Sequence, residues 1–183
     1  MMKRWHRFNI YLGLALAIGS CCGCQTNSSK TKKPLSTLRL HQEMNTDPMG
    51  RSEEISIFRE QPVKLTVNKA PFLTEANLKE AKVVDTTGGF ALSLQFDKQG
   101  GWLLEQYTAA TRGKHIAIFT QFMNAGEHKL NSGRWLAAPL IHSHIADGLL
   151  IFTPDATREE AQRIALGLND VASKLQTGKE VKW

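Results

Sequence analysis

His142-Ser143-His144-Ile145-Ala146-Asp147 is the cluster with metal-ligand chemistry in this sequence. On a strand, His-x-His puts both imidazoles on one face, and Asp147 could supply a third ligand. The plain alternative is a polar loop between two strands. His128 sits in another loop, and nothing in the sequence brings it to the cluster. Ser132 or Ser143 with a histidine and Asp147 would make a nucleophile–base–acid set, but neither serine has the Gly-x-Ser-x-Gly setting of a nucleophile elbow. Gly88-Gly89 and Gly100-Gly101 lack the Lys-Ser/Thr or the Gly-x-Gly-x-x-Gly spacing of a phosphate loop, and read as turns. Trp102 and Trp135 offer either an aromatic surface for a peptide or ordinary core packing. No catalytic residue and no cofactor is expected.

The second reactive group is a thiol. Lys3-Arg4-Trp5-His6-Arg7 is followed by a short apolar run from Phe8 to Ile18, then Gly19-Ser20-Cys21. A basic start, an apolar stretch and small residues make a secretory signal. The run is shorter than the ~20 apolar residues that span a bilayer. Cys21 directly after Ile18-Gly19-Ser20 resembles the bacterial lipobox, in which the thiol is acylated and the chain is cut just before it. Cys22 and Cys24 fit that pattern less well and read as inert tether residues, a thiol pair or a second acylation site. Residue 22 being Cys rather than Asp favours the outer membrane over the inner.

The chain has 183 residues and a formal net charge of +6, half of which leaves with Lys3, Arg4 and Arg7. No basic run interleaved with aromatics follows, so nucleic acid is not an expected partner. All three cysteines lie within 21–24, which leaves the rest without disulfides or thiolate metal sites. Its stability must come from a packed core, and the length suits one domain.

The organisation expected is a signal over 1–20, a flexible polar tether over 21–52, a folded domain over 53–178 and a tail over 179–183. From Gln25 to Gly50 large apolar residues are sparse, too few to offset ordering entropy. As a random coil, ~26 tether residues would reach on the order of 28 Å. Beyond it, Ile55 and Ile57, then Val63, Leu65 and Val67, alternate with polar residues as half-buried strands do. Thr74–Glu80 is expected as a short helix capped by Thr74, and Val83-Val84 as a strand closed at Gly88-Gly89. Phe90, Leu92, Leu94 and Phe96 form the clearest strand. Gly100–Arg112 is expected to be a helix burying Leu103, Tyr107 and Ala110, and Gly113 to end it. His115–Phe122, apolar on both faces, is expected as a central strand, followed by strands over Trp135–Ile141 and Leu149–Phe152. Thr157-Arg158-Glu159-Glu160 is a capping box, opening a helix whose stripe runs through Ala161, Ile164, Ala165, Leu168, Val171, Ala172 and Leu175 to a stop at Gly178. The pattern predicts an α+β, ferredoxin-like two-layer sandwich: a mainly antiparallel sheet with two principal helices on one face.

Several of these segments together resemble a known family. They are Leu65-Thr66-Val67, Phe72–Ala81, Ala91–Gly100, Thr108–Arg112 and Gly113–Ile118, then Ala138-Pro139-Leu140-Ile141, Gly148–Thr153 and Thr157–Ala165. They resemble the head subdomain in the first periplasmic domain of SecD, over roughly residues 63–175. The resemblance implies a ferredoxin-like module of the protein-export accessory complex that handles polypeptide and has no catalytic residues to carry over. The chain departs from SecD in showing no spanning segments, hence no proton pathway of its own.

The expected function is therefore a non-catalytic, periplasm-facing envelope lipoprotein held to the membrane by lipid on Cys21. It would bind polypeptide or a membrane-protein partner of the export machinery, at an exposed sheet edge. The alternatives are a metal-dependent envelope enzyme using His142, His144 and Asp147, or a structural outer-membrane lipoprotein. The sequence leaves the oligomeric state and the binding residues open.

Overall fold

Alternating leucines form a strand earlier in the chain than its composition suggests. The computed structural model describes residues 34–181 apart from Ala125, His128 and Ser132. Strand β1 (Ser36–Gln42) buries Leu38 and Leu40 completely. It is followed by β2 (Ser52–Ile57), β3 (Val63–Asn68), β4 (Leu73–Thr74), β5 (Leu78–Thr86) and β6 (Gly89–Phe96). Helix α1 (Lys98–Ala110) leads to β7 (Ile116–Phe122), β8 (Arg134–Ala137), β9 (Leu149–Phe152) and helix α2 (Arg158–Gln176).

The tether expectation over 21–52 is thus corrected from residue 36 onward. β1 pairs antiparallel with β7 along its whole length, from Ser36 opposite Phe122 to Gln42 opposite Ile116. Few large apolar residues suffice because β1 is central: Leu38 and Leu40 face the main core, while Thr37 and His41 are covered on the opposite face. Residues 21–33 of that tether, and Cys21, Cys22 and Cys24 with them, lie outside the described residues.

The strands form antiparallel sheets, as expected, but three of them rather than one. Their orders are β4-β1-β7-β8, β2-β3 and β5-β6-β9. Leu38, Leu40, Ile116, Ile118 and Leu136 of the first share one core with Leu92, Leu94, Phe96, Leu150 and Phe152 of the third. Ile164, Ala165, Leu168 and Ala172 of α2 join that core, giving an α+β sandwich. Burying one such leucine stabilises the fold by roughly 1.5–3 kcal/mol. The β2–β3 hairpin covers the other face of the first sheet, where Ile55, Ile57 and Val67 pack with Ala117 and Trp135. Among the described residues, no helix is long and apolar enough to cross a membrane.

Local chemistry explains the remaining boundaries. Thr74 does cap a turn, accepting from Ala76 N–H, but the turn is a single 3-10 turn over Glu75–Asn77, and β5 starts at Leu78. The Glu75 carboxylate instead accepts from Leu38 N–H at 2.8 Å, closing part of the β1 edge. Gly88, at φ +88°, makes the β5–β6 turn that a side chain would strain. Asp97 caps α1 through Gly100 N–H at 2.7 Å, so Gly100-Gly101 is the first turn of a helix. The buried face of α1 is Gly100, Leu104 and Thr108 rather than Leu103, Tyr107 and Ala110. Thr108 tolerates burial because its hydroxyl donates to Leu104 C=O at 2.7 Å and accepts from Ile145 N–H at 2.9 Å. β8 stops at Ala137, before Pro139, and only an isolated bridge between His115 and Leu140 continues it. Thr157 and Glu160 form the predicted capping box of α2, worth about 1 kcal/mol.

Candidate functional site

The His142–Asp147 segment is a loop lying along α1, and its ligand-type side chains are exposed. Asp147 directs Oδ1 to Leu149 N–H at 3.0 Å, and His144 turns Nδ1 toward the Arg112 guanidinium at 3.5 Å. Among the described residues, no group of three His, Cys, Asp or Glu side chains is placed to hold a metal. Ser143 is exposed, while Ser132 and His128 lie outside the described residues. The two tryptophans part company. Trp135 packs edge-on to His41 and Phe119 under the hairpin, whereas Trp102 is 58% exposed on α1.

The hairpin is fastened at both ends. Its tip carries Phe58, which among the described residues is the non-glycine at left-handed φ, +68°. The next residue, Arg59, donates its backbone N–H to Asp155 Oδ2 at 3.0 Å and sets its guanidinium against the same carboxylate at 3.2 Å. Burial pushes the Asp155 carboxyl up, but the Arg59 hydrogen bonds and charge outweigh it and hold the group below its usual range. Beside it Arg134 pairs with Glu160 at 2.9 Å, and Glu160 is shifted down by the same contest. At the other end His41 Nδ1 meets Asn68 C=O at 2.8 Å. Desolvation keeps His41 below its ordinary value, against the opposing pull of that carbonyl.

The two edges of the three-stranded sheet differ sharply. On the β5 edge, Asn169 of α2 accepts from Ala81 N–H and donates to Ala81 C=O, both at 2.7 Å, so one side-chain amide replaces a neighbouring strand. Gln176 donates to Leu78 C=O at 3.0 Å. Because both main-chain groups of Ala81 turn outward, those of its partner Leu94 turn toward β9 and bond Leu150. By the same alternation the N–H and C=O of Ile151 point away from β6. β9 is the last strand of its sheet, and among the described residues nothing takes up those two groups. Ile151 is also half exposed. The sequence pattern does not reveal this, since Asn169 is not among the apolar residues that mark the packed stripe of α2.

A family model of the SecDF P1 head subdomain matches residues 52–172. This chain belongs to that family. Solved SecDF structures share the fold of the head. One is of SecDF as a membrane component that enhances protein export, at 24% identity and TM-score 0.50, covering 75% of this chain and 63% of that one. Another is of SecDF in a super-membrane-facing form, at 24% identity and TM-score 0.51, covering 73% of this chain and 18% of that one. The chain therefore spans less than two thirds of either SecDF chain. No curated protein matches it. The head match starts at β2 and includes β5, β6, β9 and most of α2, so both sheet edges fall inside it, while β1 precedes it.

Proposed function

We propose that this chain is a non-catalytic, periplasm-facing envelope lipoprotein that engages polypeptide or an export-machinery partner through its SecDF head domain. The family match over residues 52–172 carries the proposal. Lipid on Cys21 would hold the domain at a membrane, the outer one by the residue that follows it. The test is pulse-chase labelling of exported proteins in native cells with and without the chain. Slower maturation of their precursors, restored by the wild-type chain, is expected. Unchanged export kinetics would overturn the export reading. For the anchor, Cys21→Ser should leave an unprocessed, unacylated precursor, detected by mobility and loss of fatty-acid labelling.

A further inference from the structure

We infer that the free edge of β9 is a strand-addition site for a short, extended, uncharged stretch of polypeptide. The inference rests on the polypeptide-binding reading above and gives it a place and a chemistry. Exposed edges invite pairing with other chains, and folded proteins guard them with charge, bulges, proline or a covering helix. β5 shows such guards: Lys79, Glu80, Lys82 and Asp85, a bulge between Leu78 and Glu80, and the α2 plugs Asn169 and Gln176. β9 has none of them. It reads Leu149-Leu150-Ile151-Phe152, without charge or proline, and pairs with β6 in regular register.

The outward groups define the ligand. Leu149 N–H is already taken by Asp147, which leaves Leu149 C=O and the N–H and C=O of Ile151 to bond an incoming backbone. Main-chain hydrogen bonds recognise any extended sequence, with side chains adding preference. Leu149 and Ile151 offer apolar neighbours and no charged partner on the strand itself, which favours an uncharged segment where it lies on β9. A second copy of the chain fits less well. Pairing two four-residue edges buries far less than the roughly 1,200 Å² of a stable interface. A brief hold on a passing segment needs no more.

The test uses the full-length chain and a fluorescent peptide with an alternating Val-Thr core and lysine ends, followed by anisotropy. The same peptide N-methylated at alternate core residues keeps its side chains but loses its donors on one edge. It should bind about tenfold or more weakly. Ile151→Pro removes an outward N–H without touching the β6 ladder, and should weaken the unmethylated peptide to a similar degree. Lys79→Ala, on the guarded edge, should leave binding unchanged. Hydrogen exchange on the wild-type chain provides a readout free of any folding defect, and the Ile151 amide should slow when peptide is added. Equal binding of both peptides would overturn strand addition. Binding that N-methylation weakens but Ile151→Pro spares, with no slowing at Ile151, would overturn the β9 site and leave polypeptide binding standing. Sedimentation showing a dimer that Ile151→Pro dissolves, with no peptide bound, would overturn the occupant. No binding by any variant would overturn the site and the polypeptide reading together.

Discussion

The β5 and β9 edges flank the same strand, β6, yet one is sealed by its own chain and the other is open. The sealed edge depends on the approach of α2, which brings Asn169 to Ala81 and Gln176 to Leu78. The open edge follows a loop, His142–Asp147, that reaches β9 only at its first residue through Asp147 and Leu149. The difference shows that edge protection here comes from where a helix runs and not from the strand alone. It also shows that leaving an edge bare is not forced by the fold, since the same sheet has the means to cover one.

The largest change should come from the strand that both edges share. Leu94→Ala leaves a cavity between the two sheets and should cost about 3–4 kcal/mol in denaturant unfolding, loosening both edges at once. Asn169→Ala strips Ala81 of both partners and should cost about 2 kcal/mol, while making β5 resemble β9 in its tendency to associate. Asn169→Asp is the sharper version: it keeps the acceptor for Ala81 N–H but sets a carboxylate against Ala81 C=O, and its loss should not be smaller. An equal stability of Asn169→Ala and wild type would erase the comparison.

Smaller effects should come from the hairpin, away from both edges. Arg59→Ala removes the contact with Asp155 and should cost up to about 1 kcal/mol, given the exposure of Arg59. Asp155 is held below its usual carboxyl range, so its contribution is complete above the unfolded value near 3.8 and fades as pH falls below it. His41 acts at higher pH. Its folded value lies below 6.5, so the unfolded chain takes up the proton first, and stability should decline as pH drops through 6.5. Urea unfolding at pH 7.5 and 5.5 should show that decline in wild type and a flatter response in His41→Gln. The smallest change is expected for Ile151→Lys, within about 0.5 kcal/mol, since the side chain is half exposed; solubility should rise as β9 gains the guard that β5 has.

What the sequence revealed followed from strength of pattern. Phe90–Phe96 and the capping box at Thr157 stood out because period and cap agreed with the final packing. β1 stayed hidden because Thr37, Arg39 and His41 look polar, and only tertiary cover from the hairpin makes burial of His41 tolerable. Thr74 is a good cap, so Thr74–Glu80 reads as a helix, yet pairing with β6 takes over from Leu78. Leu149–Phe152 was legible as a strand, but its place at the edge was not, since edge and centre differ by neighbours and not by composition.

β1 carries one more consequence, a mechanical one. A load from the N-terminal side would pass Leu35, bonded to Met123, and reach Ser36, the first residue of a strand that lies between β4 and β7. A load along β1 acts in shear on a seven-residue antiparallel register, so its bonds must yield together instead of one after another. The entry point is further gripped by α2, where a Cβ on Gly167 would come within 2.8 Å of Ser36 N and leave no room for the chain to slide. A load applied from that side would thus meet a register held by many bonds at once.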